Sequence, residues 1–73
     1  MTRDQCRMAR AALKMSTQAL AKAAGVGVNT VNRYEQGADV RLSSIEKMES
    51  ALIDAGVDFI PANGGGAGVR LRK

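Results

Sequence analysis

Apolar positions recur along this chain at two periods, helical from the start to Ala55 and alternating from Val57 onward. Thr2-Arg3-Asp4-Gln5 has the form of a capping box, in which the Thr2 hydroxyl and the Gln5 side chain satisfy backbone amides reciprocally. The helix it opens is expected to reach about Lys14. Met8, Ala9, Ala12 and Met15, with Gln5, make its apolar sector, widened by Cys6 and Leu13. Arg3, Arg7, Arg10 and Lys14 fall on one opposite stripe. A second helix is predicted from Ser16 to Ala24, with the Ser16 hydroxyl as cap and Leu20 and Ala24 as inner stripe. Gly25 ends it, since the residue after a helix often turns left-handed, a conformation glycine reaches without strain. A third helix is predicted from about Val28 to Gln36, with Gly27 at the cap and Gly37 past the end. A fourth runs to about Ala55, opened by Ser43 and Glu46 as a second capping box and buried along Ile45, Met48, Leu52 and Ala55.

Beyond Gly56 the pattern changes. Val57-Asp58-Phe59-Ile60-Pro61 is β-branched and aromatic, Asn63 to Gly68 is turn material, and Val69 to Lys73 alternates. This predicts a β-hairpin with Val69 and Leu71 on one face and Arg70 and Arg72 on the other. A two-stranded hairpin is marginal by itself. It must pack on the helices, pair with a second copy or remain partly disordered, and edge pairing or packing in a dimer is the preferred expectation. The fold class expected is therefore mainly α, a small four-helix domain over residues 1–56 with a C-terminal β-hairpin over 57–73.

The third predicted helix carries the chemistry. Val31 and Tyr34 face the core together with Glu35, leaving Asn29, Thr30, Asn32, Arg33 and Gln36 outside. That outer set holds amides and a guanidinium and no carboxylate. Asn makes paired hydrogen bonds to adenine and Arg to guanine. A short helix with such a face, held by a tight turn against a small-residue helix, has the form of a helix-turn-helix recognition unit.

Composition narrows the alternatives. Seventy-three residues suffice for one domain near the lower limit of a self-sufficient core. One cysteine permits no internal disulfide, and with no histidine neither a zinc cluster nor a histidine base can be assembled. No cofactor is expected. Cys6 reads as a small buried hydrophobe rather than a nucleophile, and Met8, Met15 and Met48 read as core filler. The absence of a carboxylate pair, a nucleophile–base set or a metal cluster speaks against an enzyme. The net charge of +4 favours an anionic partner. Tyr34 and Phe59 are the only aromatic side chains, which argues against single-stranded nucleic acid, where bases stack on aromatic platforms. The run Asn63 to Gly68 lacks the Lys-Ser/Thr and following helix of a phosphate-cradling loop. Neither a signal peptide nor a long apolar run is present, so a cytoplasmic location without membrane contact is expected.

Met15, Leu20, Ala21, Ala24, Gly25, Val26, Val31, Arg33, Glu35 and Gly37 stand in a register that resembles the helix-turn-helix of the phage lambda repressor/Cro-like (XRE) transcriptional regulators. The resemblance covers about residues 4 to 56. It departs at Gly27, where that family usually has Ser or Thr, and at Thr17, where Gln is frequent. It implies a lambda repressor-like DNA-binding domain, of bacterial or phage origin, in which the first helix packs behind the motif. The basic stripe of that helix then reads as a solvated face, with phosphate contact as the other reading. It further implies an ion pair between Arg10 and Glu35, which makes Glu35 structural. The loop before the last helix runs beside the DNA backbone in this family, so Arg41 becomes a phosphate candidate.

The expected function is sequence-specific binding of double-stranded DNA by a homodimeric transcriptional regulator, a repressor reading an inverted repeat through the Val28–Gln36 helix. Val28 is placed against a thymine methyl, Asn29 and Asn32 against adenine, Arg33 against guanine or phosphate, and Thr17, Thr30 and Arg41 on backbone phosphates. The alternative is a protein-interaction module, antitoxin-like or a phage accessory protein, whose hairpin accepts a partner as an added strand.

Overall fold

A computed structural model describes residues 1–62 and 64–72. Asn63, at the start of the expected turn, and Lys73, at the end of the expected second strand, lie outside the described residues. Four helices precede a two-stranded antiparallel sheet: α1 (Arg3–Leu13), α2 (Thr17–Ala24), α3 (Val28–Glu35), α4 (Leu42–Asp54), β1 (Val57–Ile60) and β2 (Gly68–Leu71). No described helix is long and apolar enough to cross a membrane.

The ends of the first two helices follow from their sequence. Thr2 and Gln5 form the expected reciprocal box: the Gln5 amide donates to Thr2 Oγ1 at 3.1 Å and the Thr2 amide to Gln5 Oε1 at 2.9 Å. Ser16 accepts from the Ala19 amide, and Gly25 stops α2 with φ of 73°. Gly37, with φ of 97°, has a second reason to be glycine. The Arg3 guanidinium lies where a Cβ would stand, so any side chain there displaces it.

Three expected details are corrected. In α1 the buried side chains are Gln5, Cys6 and Ala9, while Met8 is 39% exposed and Ala12 is exposed. The helix is rotated toward Cys6 because Arg10 and Cys6 both bond to Glu35 of α3, and an alanine-rich sector offers little volume to oppose that rotation. Nor does Ser43 cap α4. The extended residue before the helix is Arg41 (φ −62°, ψ 140°), and it makes no side-chain cap. Ser43 therefore already lies inside the first turn, where a cap geometry is not reached. Ala55, expected on the inner face, is the exposed C-cap of α4. Smaller shifts place Lys14 and Gln36 as C-caps, one residue beyond their helices.

Leu20, Met48, Leu52, Val31, Val57 and Cys6 are wholly buried and meet at the centre, with α2 packed against α3 and α4. The hairpin packs on α1 and α4 of the same chain. Its register sets Val57 opposite Leu71 and Phe59 opposite Val69, so these four share one face. Gln5 fastens it, since its Nε2 donates to the carbonyls of both Ile60 and Gly68 at 3.0 Å. The other end is held by Arg72, whose guanidinium donates to the Val57 carbonyl and to the Ile53 carbonyl in the last turn of α4. A cation there is favourable because the free carbonyls of a helix end carry partial negative charge. Replacing Gln5 by Ala removes all three of its bonds. We expect a loss of about 1–2 kcal/mol, with amide exchange accelerated in β1 and β2 more than in α2 to α4, as hydrogen-exchange NMR reads it.

Candidate nucleic-acid interface

Two elements present the polar residues at issue. Val31, Tyr34 and Glu35 are buried and fix the rotation of α3 about its axis. That rotation leaves Asn29 and Arg33 exposed and Val28, Thr30 and Asn32 half-buried on its outer side. The helix starts at Gly27, which has extended backbone (φ −72°, ψ 148°) and no side-chain cap. Its first turn therefore points unbonded amides outward, next to Val28 and Asn29. A Cβ at Gly27 meets nothing nearer than Thr30 Oγ1 at 4.0 Å. Gly27→Ser is thus expected to add a cap and raise stability by a few tenths of a kcal/mol, measured as a higher midpoint of urea unfolding.

Tyr34 is tied down at its far end, where its hydroxyl donates to the Met1 carbonyl at 2.9 Å. Burial raises its pKa above the ordinary tyrosine value. Glu35 is held more tightly. Arg10 grips it from the side, Nε to Oε2 at 2.9 Å and Nη2 to Oε1 at 2.8 Å, and Cys6 Sγ donates to Oε2 at 3.3 Å. Arg10 also donates to the Met15 carbonyl, just before α2. One guanidinium therefore links α1, the α1–α2 turn and the end of α3. Burial acts to raise the Glu35 pKa, but the bonds from Arg10 and Cys6 and the Arg10 charge outweigh it, and the carboxyl is held below its ordinary value. Burial, with the bond to Glu35, pushes the Cys6 thiol up to about 12. At neutral pH it is a protonated donor and not a nucleophile. Among the described residues no group of three or more His, Cys, Asp or Glu side chains can hold a metal ion.

Of the seven residues singled out from the sequence, three converge on one open groove. Thr30 and Arg33 of α3 line it together with Arg41 at the start of α4, beside Asp39, Val40 and Ser44. Two guanidiniums, two hydroxyls and the N-terminal end of a 13-residue helix are the donors suited to a phosphate. Val28, Asn29 and Asn32 continue along α3 outside the groove, and Thr17 stands apart, half-buried at the first position of α2. Sequence reasoning passed over three neighbours. Ser44 lines the groove from inside α4. Asp39 brings a carboxylate into it and tempers its positive potential. Gln18 is exposed beside Thr17, in the first turn of α2. An amide so close to a capped helix start was the available signal for Gln18; nothing in the sequence pattern placed Asp39 and Ser44 together.

A family model described as helix-turn-helix matches residues 7–53, well over half of the 73-residue chain. Comparison with curated proteins finds no match in sequence.

Proposed function

Because the chain belongs to the lambda repressor-like helix-turn-helix family of DNA-binding regulators, we propose that it is a sequence-specific repressor that binds an inverted repeat of double-stranded DNA as a homodimer. The observation that supports this reading most is the outer side of α3. Its amides and guanidinium lie outward without a carboxylate among them, and they run directly into the groove that Arg33 shares with Arg41. In this reading the first turn of α3 enters the major groove. Val28 contacts a thymine methyl, Asn29 and Asn32 read adenine, and Arg33 reads guanine or holds a phosphate. Thr17, Thr30 and Arg41 hold the backbone.

The dimer follows from magnitude. Each good paired base contact contributes about 1–3 kcal/mol of discrimination, and two or three of them make a weak monomer. Two half-sites double the reading surface. Repression then comes from steric block of a promoter in the cytoplasm. Selection of bound sites from a random duplex pool at near-physiological salt tests the proposal. The expected product is an inverted repeat with half-site centres about 10 base pairs apart. A pool that enriches no motif, with binding that fades uniformly as salt rises, contradicts it.

A further inference from the structure

The hairpin leaves an open edge along β2. The bond from the Arg72 amide to the Gly56 carbonyl, 2.9 Å, fixes the phase of the ladder. Gly56 and Arg72 face each other as a hydrogen-bonded pair, so by alternation Asp58–Arg70 and Ile60–Gly68 are bonded pairs as well. Val57, Phe59, Val69 and Leu71 then turn their amides and carbonyls away from the partner strand. On the β1 side this outward row is partly closed, with the Phe59 amide and carbonyl left open by the described residues. The Val57 carbonyl accepts from the Arg72 guanidinium, and Pro61, next in the row, has no amide to donate. On the β2 side no described residue takes up the outward groups of Val69 and Leu71.

The side chains along that edge are polarised. Arg70 is exposed. Asp58, opposite it across the ladder, is engaged by Arg72 instead, at 3.4 Å. On the other face Leu71 is 45% exposed and forms one wall of a hollow whose remaining lining, Ala12, Leu13, Ala55 and Gly56, carries no charge.

We propose that the β2 edge accepts an added strand from a different protein, an extended segment with acidic side chains on the Arg70 face and apolar ones on the face of Val69 and Leu71. The main-chain groups of Val69 and Leu71 supply the ladder, Arg70 selects for carboxylates, and the hollow beside Leu71 receives an apolar side chain. A second copy of this chain suits the edge poorly in the register that uses both Val69 and Leu71 as one bonded pair. Antiparallel pairing centred on Arg70 sets Arg70 directly against its counterpart, and like charges in that position destabilise. The surface shares no residue with the candidate DNA face, so the proposal stands apart from the DNA reading.

The test uses the whole isotope-labelled chain and two short capped peptides, one alternating valine with glutamate and one alternating valine with lysine. The glutamate peptide is expected to shift the amides of Val69 to Leu71 and to bind at least about tenfold more tightly than the lysine peptide. Methylating the peptide amides that face β2 is expected to abolish binding, while methylating those that face away leaves it. Arg70→Glu is expected to exchange the preference between the two peptides. Equal binding of both, binding of neither, or shifts confined to other residues overturns the proposal. Self-association of the free chain through Val69 to Leu71 also overturns it, and assigns the edge to a second copy.

Discussion

Arg10→Met is expected to lower the stability of the fold by about 3 kcal/mol and to flatten its dependence on pH. Glu35 is 7% exposed, and Arg10 supplies two of its three side-chain bonds. Removing the guanidinium leaves a buried carboxylate without its counter-charge, which is the costly way to break such a pair. The loss stays toward the lower end of the usual range because the Arg10 side chain is itself partly exposed, at 23%. The pH dependence separates this cause from a simple packing defect. In the natural chain the Glu35 carboxyl lies below its ordinary value. The unfolded chain therefore binds the proton more readily, and the pair's contribution is fully present above the ordinary carboxylate value, about 4.3. It is lost as pH falls from there through the lowered folded value. In Arg10→Met burial still raises the Glu35 value and only the Cys6 bond and the Arg7 charge still lower it, so the folded value rises toward the ordinary one. The variant then loses less stability than the natural chain as pH falls through the carboxylate range. Arg10→Met combined with Glu35→Leu removes both charges and is expected to recover most of the loss. Urea unfolding of the three proteins between pH 3.5 and 7, a range set by the carboxylate value, measures all of this. Equal losses for the single and double variants, or parallel pH profiles, contradict the account.

The second large effect concerns binding. Asn29→Ala and Arg33→Ala are each expected to cost about 1–3 kcal/mol per half-site on the selected operator, so that a two-half-site operator loses roughly twice that. Both side chains are exposed, and unfolding midpoints should move little. Each variant should also lose preference at particular base pairs, which distinguishes a reader from a generic cation. Arg41→Ala is the contrast. It lies at the mouth of the groove, ahead of α4, and its loss is expected to weaken binding to all sequences alike and to lower the salt dependence by about one phosphate contact per protomer. Equilibrium titrations of operator and scrambled duplex at several salt concentrations separate the two behaviours. Should Asn29 and Arg33 behave as Arg41 does, the outer side of α3 is not reading bases.

Much of this was legible in the sequence because it is encoded locally. Thr2 with Gln5, Ser16 and Gly25 each act on residues within one helical turn, and each forms the cap or stop that its chemistry predicts. The outer side of α3 was legible for the same reason, since Val31 and Tyr34 at helical spacing decide what is left outside. The failures are matters of tertiary choice. Sequence pattern put Met8 and Ala12 inside α1, and the bonds from Cys6 and Arg10 to Glu35, in a different helix, turned them outward. Ser43 and Glu46 match a capping box, yet the chain enters α4 two residues earlier, at Arg41. Gln5 was read as a cap that borders the apolar sector of α1. Its second role, fastening Ile60 and Gly68, spans more than 50 residues, and no local pattern announces it. The groove fits the same division. Arg41 was suggested by the family resemblance, whereas Asp39 and Ser44 come beside it only through the path of the α3–α4 loop.

The most direct measurement of the central claim is an amide-shift map of the labelled chain titrated with the most enriched duplex from the selected pool. The account predicts large shifts at Thr17, Gln18, Val28 to Arg33 and Arg41 to Ser44, with Val69 to Leu71 left unmoved. Shifts centred on the hairpin or on the Arg3–Lys14 stripe, with the outer residues of α3 unmoved, contradict it and mean that another surface meets the DNA.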